Sequence, residues 1–545
     1  MPNPIVRRRI GKELADSGKY YLYDKFTTDV AAGSVNGTLA DVGGARTVTD
    51  TASHLSIAGG QLVSDGGAGA SDPSISWQSK TRVAGRSMFM VGTTSTRFNT
   101  FGFHSALPPT NGALAAGFRI ISNVLYTFPA VNVGAWVNGT AYKYAVVLRS
   151  SGYFVFIKGG LFTNWTLLNV IATDSTATVH PGIDNDAAGA FTADNIRIPK
   201  RLWLPSPLAS DGFSTALTDG LGHAEGVAGG LGAGGAGLTW TGATWSLSAG
   251  KALNTPTEGA GIIEGATLNG NFAAWTADDP DDWAMVNQTG EAECSEVGTG
   301  EGHGGVGTGM CNLYRTTTIL SITQAILTIG NWYRADMLVD TVVSGSLLMS
   351  DVLNGIYNLT NSTGTLVTTG RAAHASVRIR TQDNPTDITI DDVIVKELTL
   401  STLFKSLTVS TQNAIATTEI VWLKGTQAGL VLNLDSAATP ANFIIAYLSG
   451  ATCKLDKCVA GVYTNVISAV VTYVSGAQIR VIKDGTSYRL FYNNLAVGAV
   501  STVSDAGIVD NKIHGLFSTF VDNTFDNFTV YARGNSGEYS ALDGM

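Results

Sequence analysis

Two distant stretches of this chain repeat one pattern, and a repeat of that size points to a tandem of like domains. Asp24-Lys25-Phe26-Thr27-Thr28 matches Asp211-Gly212-Phe213-Ser214-Thr215, and each is followed by a Gly-rich stretch leading to an apolar segment. Those segments align too, Leu55-Ser56-Ile57-Ala58-Gly59-Gly60-Gln61-Leu62 with Trp245-Ser246-Leu247-Ser248-Ala249-Gly250-Lys251-Ala252-Leu253. Further on, the hairpin from Val146 to Lys158 about Ser151-Gly152 matches that from Val481 to Tyr492 about Asp484-Gly485. Phe191-Thr192-Ala193-Asp194-Asn195-Ile196 closes the first copy as Phe525-Asp526-Asn527-Phe528-Thr529-Val530 closes the second.

The repeated unit reads as β. Short runs alternate with period two: Tyr142, Tyr144, Val146 and Leu148 share one face with Lys143 and Arg149 opposite, and Ile479, Val481 and Lys483 oppose Arg480 and Ile482. Turn signals such as Lys483-Asp484-Gly485 punctuate them. The second copy is much longer than the first, and residues 263–398 account for the excess. That segment opens at Leu268-Asn269-Gly270-Asn271-Phe272 and closes at Asp387-Ile388-Thr389-Ile390-Asp391-Asp392-Val393-Ile394-Val395. A surface loop whose ends lie close together tolerates such an insertion. The expected architecture is all-β: tandem jelly-roll β-sandwiches, the second interrupted by an inserted β-sandwich. The expected parts are a docking arm over 1–20, a first sandwich over 21–200, a second over 201–262 plus 399–533, the inserted sandwich over 263–398, and a tail over 534–545.

These motifs carry a resemblance. The Asp-x-Phe opening, the Lys-Asp-Gly hairpin and the Phe-Asp-Asn closing strand resemble concanavalin A-like (laminin G-like) jelly-roll modules. Asn269-Gly270-Asn271-Phe272 followed by Trp275 and Trp283, with the terminal Ile390-Asp391-Asp392-Val393, resembles a galactose-binding-like carbohydrate-binding module. Low charge, high Gly and Thr and a short arm before tandem sandwiches are similar in style to tail-fibre and other virion proteins of tailed bacteriophages.

Composition narrows the function. Charged residues are 14% of the chain and Gly 64 of 545, which suits a turn-rich folded protein rather than a charge-disordered one. The net charge of -9 repels nucleic acid and anionic membranes, and Arg7-Arg8-Arg9 is too short a patch to reverse that. No stretch is apolar enough for membrane insertion, and no signal peptide is visible at Met1-Pro2-Asn3-Pro4-Ile5-Val6. The product is therefore expected to be made in a cytoplasm, and the resemblance to phage proteins implies a host cytoplasm and residence in the virion. The four cysteines lack zinc spacing; Cys294 with Cys311, and Cys453 with Cys458 about a hairpin, are either reduced thiols or local pairs.

Nucleophile elbows, metal-binding His helices and phosphate loops are absent, so no catalytic residue is assigned and the chain is expected not to be an enzyme. Glu291 and Glu293 share a face by period two, but Glu296 falls opposite and the run enters a Gly-rich loop, which suits a solvated edge. For binding, Trp275, Asp278, Asp279, Asp281, Asp282 and Trp283 gather around Pro280, putting aromatics for stacking and carboxylates for hydroxyls in one loop. The alternative is that both tryptophans are core and the aspartates solubilise the turn. No cofactor is required. The module resemblance implies a structural calcium at Asp391 or Asp392, and Asp392, sharing a face with Ile390 and Ile394, would point coreward and need a metal or hydrogen-bond donors. Asp194-Asn195 and Asp526-Asn527 read as turn or edge features.

The resemblance implies a phage tail or fibre protein that adheres to host-surface glycans, docked to other virion proteins by its N-terminal arm and assembled as a homotrimer, with avidity compensating for weak sugar sites. The rivals are a virion decoration protein without ligand and, less favoured, a polysaccharide depolymerase.

Overall fold

The apolar strands are buried, and where a second layer covers them they are buried on both faces, as Ala145, Val147, Arg480 and Ile482 show. In Tyr142–Leu148 and Ala477–Asp484 the faces expected to be apolar are buried, Tyr142, Tyr144, Val146, Ile479 and Val481 all being at most 1% exposed. The computed structural model describes residues 16–545 apart from 67–72, 95–97, 111–112, 122–123, 128–130, 173, 186–189, 214–238, 243, 277–278, 288–292, 299–306 and 354. It is all-β, built from antiparallel sheets packed in pairs. The expected docking arm, apart from Asp16–Tyr20, lies outside the described residues, as does most of the Gly-rich stretch after Phe213.

The first pair of sheets has eight strands each. One is centred on Ser87–Thr94, Tyr142–Leu148 and Phe191–Pro199, the other on Phe98–His104, Leu114–Ile121 and Thr178–Asp184. The second pair joins residues on both sides of the insertion. Its eight-stranded sheet combines Ala209–Asp211, Trp245–Ser248 and Lys251–Asn254 with Ala414–Val421, Ala477–Asp484, Ser487–Tyr492, Leu495–Thr502 and Thr524–Ala532, and its six-stranded partner runs from Phe404–Thr408 to Val462–Val470. Between them in sequence, Glu258–Ile263 to Thr386–Leu398 form a six-stranded and a five-stranded sheet over their own apolar cluster.

The repeated motifs are structural nodes. Asp24 and Asp211 are buried, and each accepts a backbone N–H from the Phe two residues on, at 3.2 and 2.8 Å, while Phe26 and Phe213 sit at φ 53° and 50°. Each carboxylate also takes an indole N–H, Asp24 from Trp77 at 2.9 Å and Asp211 from Trp240 at 2.7 Å. The closing Asp-Asn pairs are neither turns nor edges. They are bulges inside the final strand: Asp194 and Asp526 accept the N–H of Asn195 and Asn527 at 2.5 and 2.7 Å, and those asparagines take φ 51° and 49°. Asp391-Asp392 is the same device in the inserted sandwich, with Asp392 N–H on Asp391 Oδ1 at 2.7 Å and φ 43° at Asp392.

The three bodies touch through sheet faces. Ile415, Ile482, Phe491 and Tyr531 of the second sandwich belong to the apolar cluster of the first, and Phe154 meets Tyr531 edge-on at 5.3 Å. Beyond the last strand the chain returns to the first sandwich, where Asp543 accepts from Trp165 Nε1 and Lys158 Nζ at 3.0 and 2.8 Å. On its other side, the second sandwich's six-stranded sheet is covered by the insert, with Trp332 and Leu398 clustered with Phe404, Val431, Phe443 and Phe517.

Candidate functional site

The Trp-Asp loop is held together by one residue. Asn269, at φ 50°, donates from Nδ2 to the carbonyls of Ala274 and Asp281 at 2.7 and 3.0 Å and accepts Ala274 N–H at 3.0 Å. Its own carbonyl takes the Trp283 indole N–H at 3.2 Å. Trp283 is 5% exposed and stacks on Phe272 at 5.7 Å, and the half-buried Trp275 donates to the Phe272 carbonyl. The indoles are thus spent on the insert's core. Asp281 accepts Thr276 Oγ1 at 2.7 Å, Asp279 and Asp282 are exposed, and Asp278 lies outside the described residues.

Asp392 does not point coreward. The bulge at φ 43° resets the alternation, so Ile390, Val393 and Val395 are buried while Asp392 is exposed. Burial and the neighbouring Asp392 and Asp340 raise the Asp391 carboxyl above its usual range, against the Asp392 N–H that lowers it. Among the described residues, no group of three or more His, Cys, Asp or Glu could hold a metal. Glu291 lies outside the described residues, and Glu296 accepts Gly309 N–H at 3.5 Å. The thiols of Cys294 and Cys311 lie 3.5 Å apart on neighbouring strands. No hairpin joins Cys453 to Cys458: both lie on the single strand Thr452–Val459, five residues apart, so they face different apolar clusters.

Polar chemistry gathers instead where the insert meets the second sandwich. Three adjacent strands, Phe443–Ser449, Thr452–Val459 and Val462–Val470, present Tyr447, Asp456 and Asn465 side by side. The Tyr447 hydroxyl donates to Asp456 Oδ2 and the Asn465 amide to Asp456 Oδ1, both at 2.7 Å. Burial and the Asp456 carboxylate push the Tyr447 hydroxyl well above its ordinary range, so it remains a donor. Trp332 of the insert closes the floor, its indole N–H on Tyr463 Oη at 3.0 Å. Gln427 is locked between Thr369 and Thr519.

The resulting cavity measures about 270 Å³ and is also lined by Arg371 and Lys454. Arg371 lies 4.5 Å over the Tyr463 ring. The Lys454 ammonium makes no hydrogen bond or ion pair among the described residues. Carboxylate, amide and cationic donors therefore converge on one groove with aromatic edges beneath. Sequence reading did not single out this groove because its residues come from two bodies. The available signal was Asp456, flanked by Lys454 and Lys457 in the strand Thr452–Val459, a knot of charge in a chain that carries little.

No protein-family model matches the chain, and no curated protein matches it. Among solved structures, it is similar to the carbohydrate-binding module CBM66 from Bacillus subtilis at 12% identity and TM-score 0.20, over 24% of this chain and 82% of that one. It is also similar to a glycosyl hydrolase family protein from Mycobacterium fortuitum at 11% identity and TM-score 0.21, over 33% of this chain and 99% of that one. A xylan beta-1,4-xylosidase from Bacillus halodurans C-125 aligns at 8% identity and TM-score 0.22, over 92% of this chain and 88% of that one. The β-sandwich fold is the part of the module resemblance that stands. The expectation that the chain is not an enzyme is corrected: glycoside hydrolases are among the structures it resembles, and that expectation is withdrawn.

Proposed function

We propose that this chain binds glycans in the groove between the inserted and second sandwiches. The observation that carries the reading is the Tyr447–Asp456–Asn465 set, in which a carboxylate is held by a hydroxyl and an amide beside Lys454 and Arg371. A sugar presents adjacent hydroxyls that both donate and accept, and a fixed carboxylate, amide and ammonium answer both roles. Placement in a phage tail or fibre, with docking through the N-terminal arm and trimeric assembly, rests on the composition and on the style of the tandem modules. In that setting many weak sites would act together on a host surface.

The test is binding of the full chain to a glycan array, followed by calorimetry on the best ligand, with Lys454→Ala and Asp456→Asn alongside. The same mixtures are assayed for released reducing ends, which reads cleavage as well as retention. Loss of binding in Lys454→Ala with unchanged melting supports the groove. Retained binding in both variants removes it as the site.

A further inference from the structure

A second cleft lies on the opposite side of the second sandwich, in the seam with the first. It encloses about 470 Å³. From the first sandwich comes Asn164, in the strand Phe162–Ile171; from the second come Asp484, Ser487 and Arg489, and Arg533 and Asn535 follow its last strand. Ser487 and Arg489 share a face by period two, and their cross-strand partners are Asp484 and Ile482. Ile482 belongs to the apolar contact between the sandwiches, so this face is the one the seam covers, and the cleft is its polar margin.

The cleft's polar groups are partly committed. Arg533, with its side chain 1% exposed, donates from Nε to Asp484 Oδ2 at 3.1 Å and from Nη1 to the Leu167 carbonyl. Asn535 donates to Asp484 Oδ1 at 2.9 Å and accepts Asn164 Nδ2 on its carbonyl at 3.0 Å. Burial works against the Asp484 carboxylate, but Arg533, Asn535 and the nearby charge of Arg489 hold it below the usual range. Arg489 is the exception. Its guanidinium makes no hydrogen bond or ion pair among the described residues, although it lines the cleft beside Arg533. Two guanidinium groups thus face one carboxylate, and that carboxylate is already taken by Arg533.

We propose that this seam cleft binds an acidic sugar residue, its carboxylate or sulfate on Arg489 and its hydroxyls on Asn164 and Ser487. A guanidinium meets planar oxyanions through paired N–H donors, and those of Arg489, which feels Asp484 only through space, carry no hydrogen bond among the described residues. The volume exceeds what a bare anion fills and lies in the range of small-ligand sites. Because the ligand touches both sandwiches, the site exists only in the tandem. It is separate from the groove beside Trp332 and does not depend on it.

The test is calorimetry on the full chain with trigalacturonate, maltotriose and inorganic sulfate. The expected result is that trigalacturonate binds at least about tenfold more tightly than maltotriose or sulfate. Arg489→Gln abolishes that preference with unchanged melting, and Arg489→Lys keeps part of it. Should Arg489→Gln fail to fold, Ser487→Trp fills the cleft from the neighbouring position and is expected to block binding. No binding at about 10 mM, equal affinity for acidic and neutral sugars, or binding untouched by these cleft variants overturns the proposal. Sulfate competing as well as trigalacturonate reduces the site to a simple anion pocket and overturns the sugar assignment.

Discussion

Trp332, on the inserted sandwich, donates its indole N–H to the hydroxyl of Tyr463, on the second, at 3.0 Å. The same ring meets Tyr447, Tyr463 and Phe517 edge-on at 6.4, 6.1 and 5.2 Å and is 3% exposed. Trp332→Ala therefore opens a cavity at the junction, with an expected loss of about 3–5 kcal/mol. Trp332→Phe keeps the packing and loses chiefly the hydrogen bond, about 1 kcal/mol. Urea melts check the ranking, and limited proteolysis near 255–262 should quicken for Trp332→Ala if the insert detaches.

Asp24 is the most connected of the motif aspartates. Besides Trp77 and Phe26, it takes Arg46 Nε and Nη2 at 2.7 and 2.6 Å, the two side chains being 0% and 5% exposed. Asp24→Asn strands a buried guanidinium, and the expected loss is about 3–5 kcal/mol. Adding Arg46→Met to Asp24→Asn should recover part of that stability. Equal melts for the single and double variants would show that Arg46 finds another partner.

The sandwich class and the paired motifs were legible because they depend on local physics. The apolar run Tyr142–Leu148 marks a strand buried throughout but for Lys143, and Asp24-x-Phe26 and Asp211-x-Phe213 recur because each closes its own hydrogen bond across two residues. What escaped is what alternation cannot carry. A single left-handed residue at Asp392 shifts the phase of a strand, so extrapolating from Ile390 put the carboxylate on the wrong side. The groove needs Trp332 and Tyr447, and the seam cleft needs Asn164 and Arg489; each pair belongs to different bodies, and no spacing within one strand encodes their meeting. Arg480 did leave a trace. It stands among Ile479, Val481 and Ile482, and it is buried in the seam with Nη1 on the Val170 carbonyl at 2.5 Å.

Two buried histidines set a pH dependence. Burial pushes His104 and His514 down to about 4, whereas an unfolded histidine titrates near 6.5. Both folded-state values are depressed for a group that is neutral when deprotonated. Between pH 6.5 and about 4 the unfolded chain therefore takes up protons the folded chain refuses, and stability falls as pH falls. The loss approaches about 3 kcal/mol for each histidine by pH 4. Melts between pH 7 and 5 should show the decline, and His514→Gln should flatten it. A stability that is level over that window would mean the imidazoles are reached by solvent.

All four thiols should resist modification. Cys294, Cys311, Cys453 and Cys458 are 0% exposed, and burial pushes Cys458 up to about 11, Cys453 up to about 12 and Cys311 well above its ordinary value. The thiolate is the reactive form, and at Cys311, Cys453 and Cys458 little of it exists at pH 8, while burial alone shields Cys294. Iodoacetamide should label none in the folded protein and all four in urea, counted by mass. Labelling of Cys458 alone without urea would mark the junction with the insert as open.

The segment after Arg533 ties the two tandem sandwiches together. Tyr539, Leu542 and Met545 are 3%, 0% and 4% exposed, and Tyr539 stands edge-on to Phe156 at 5.0 Å and to Trp203 at 6.3 Å. Arg197 Nε donates to the Met545 carbonyl at 3.0 Å. Three side chains of this size bury roughly 1.5–3 kcal/mol each, so removing 534–545 should cost several kcal/mol. The loss should appear as a lower calorimetric transition and as protease cutting between residues 200 and 208, where the first sandwich leads into the second. Asp543→Asn separates packing from charge. The Asp543–Lys158 pair is surface-exposed, 44% and 26%, so that variant should lose less than about 1 kcal/mol. If it instead matches the truncation, the ion pair and the Trp165 hydrogen bond, rather than Tyr539 and Leu542, hold the segment down.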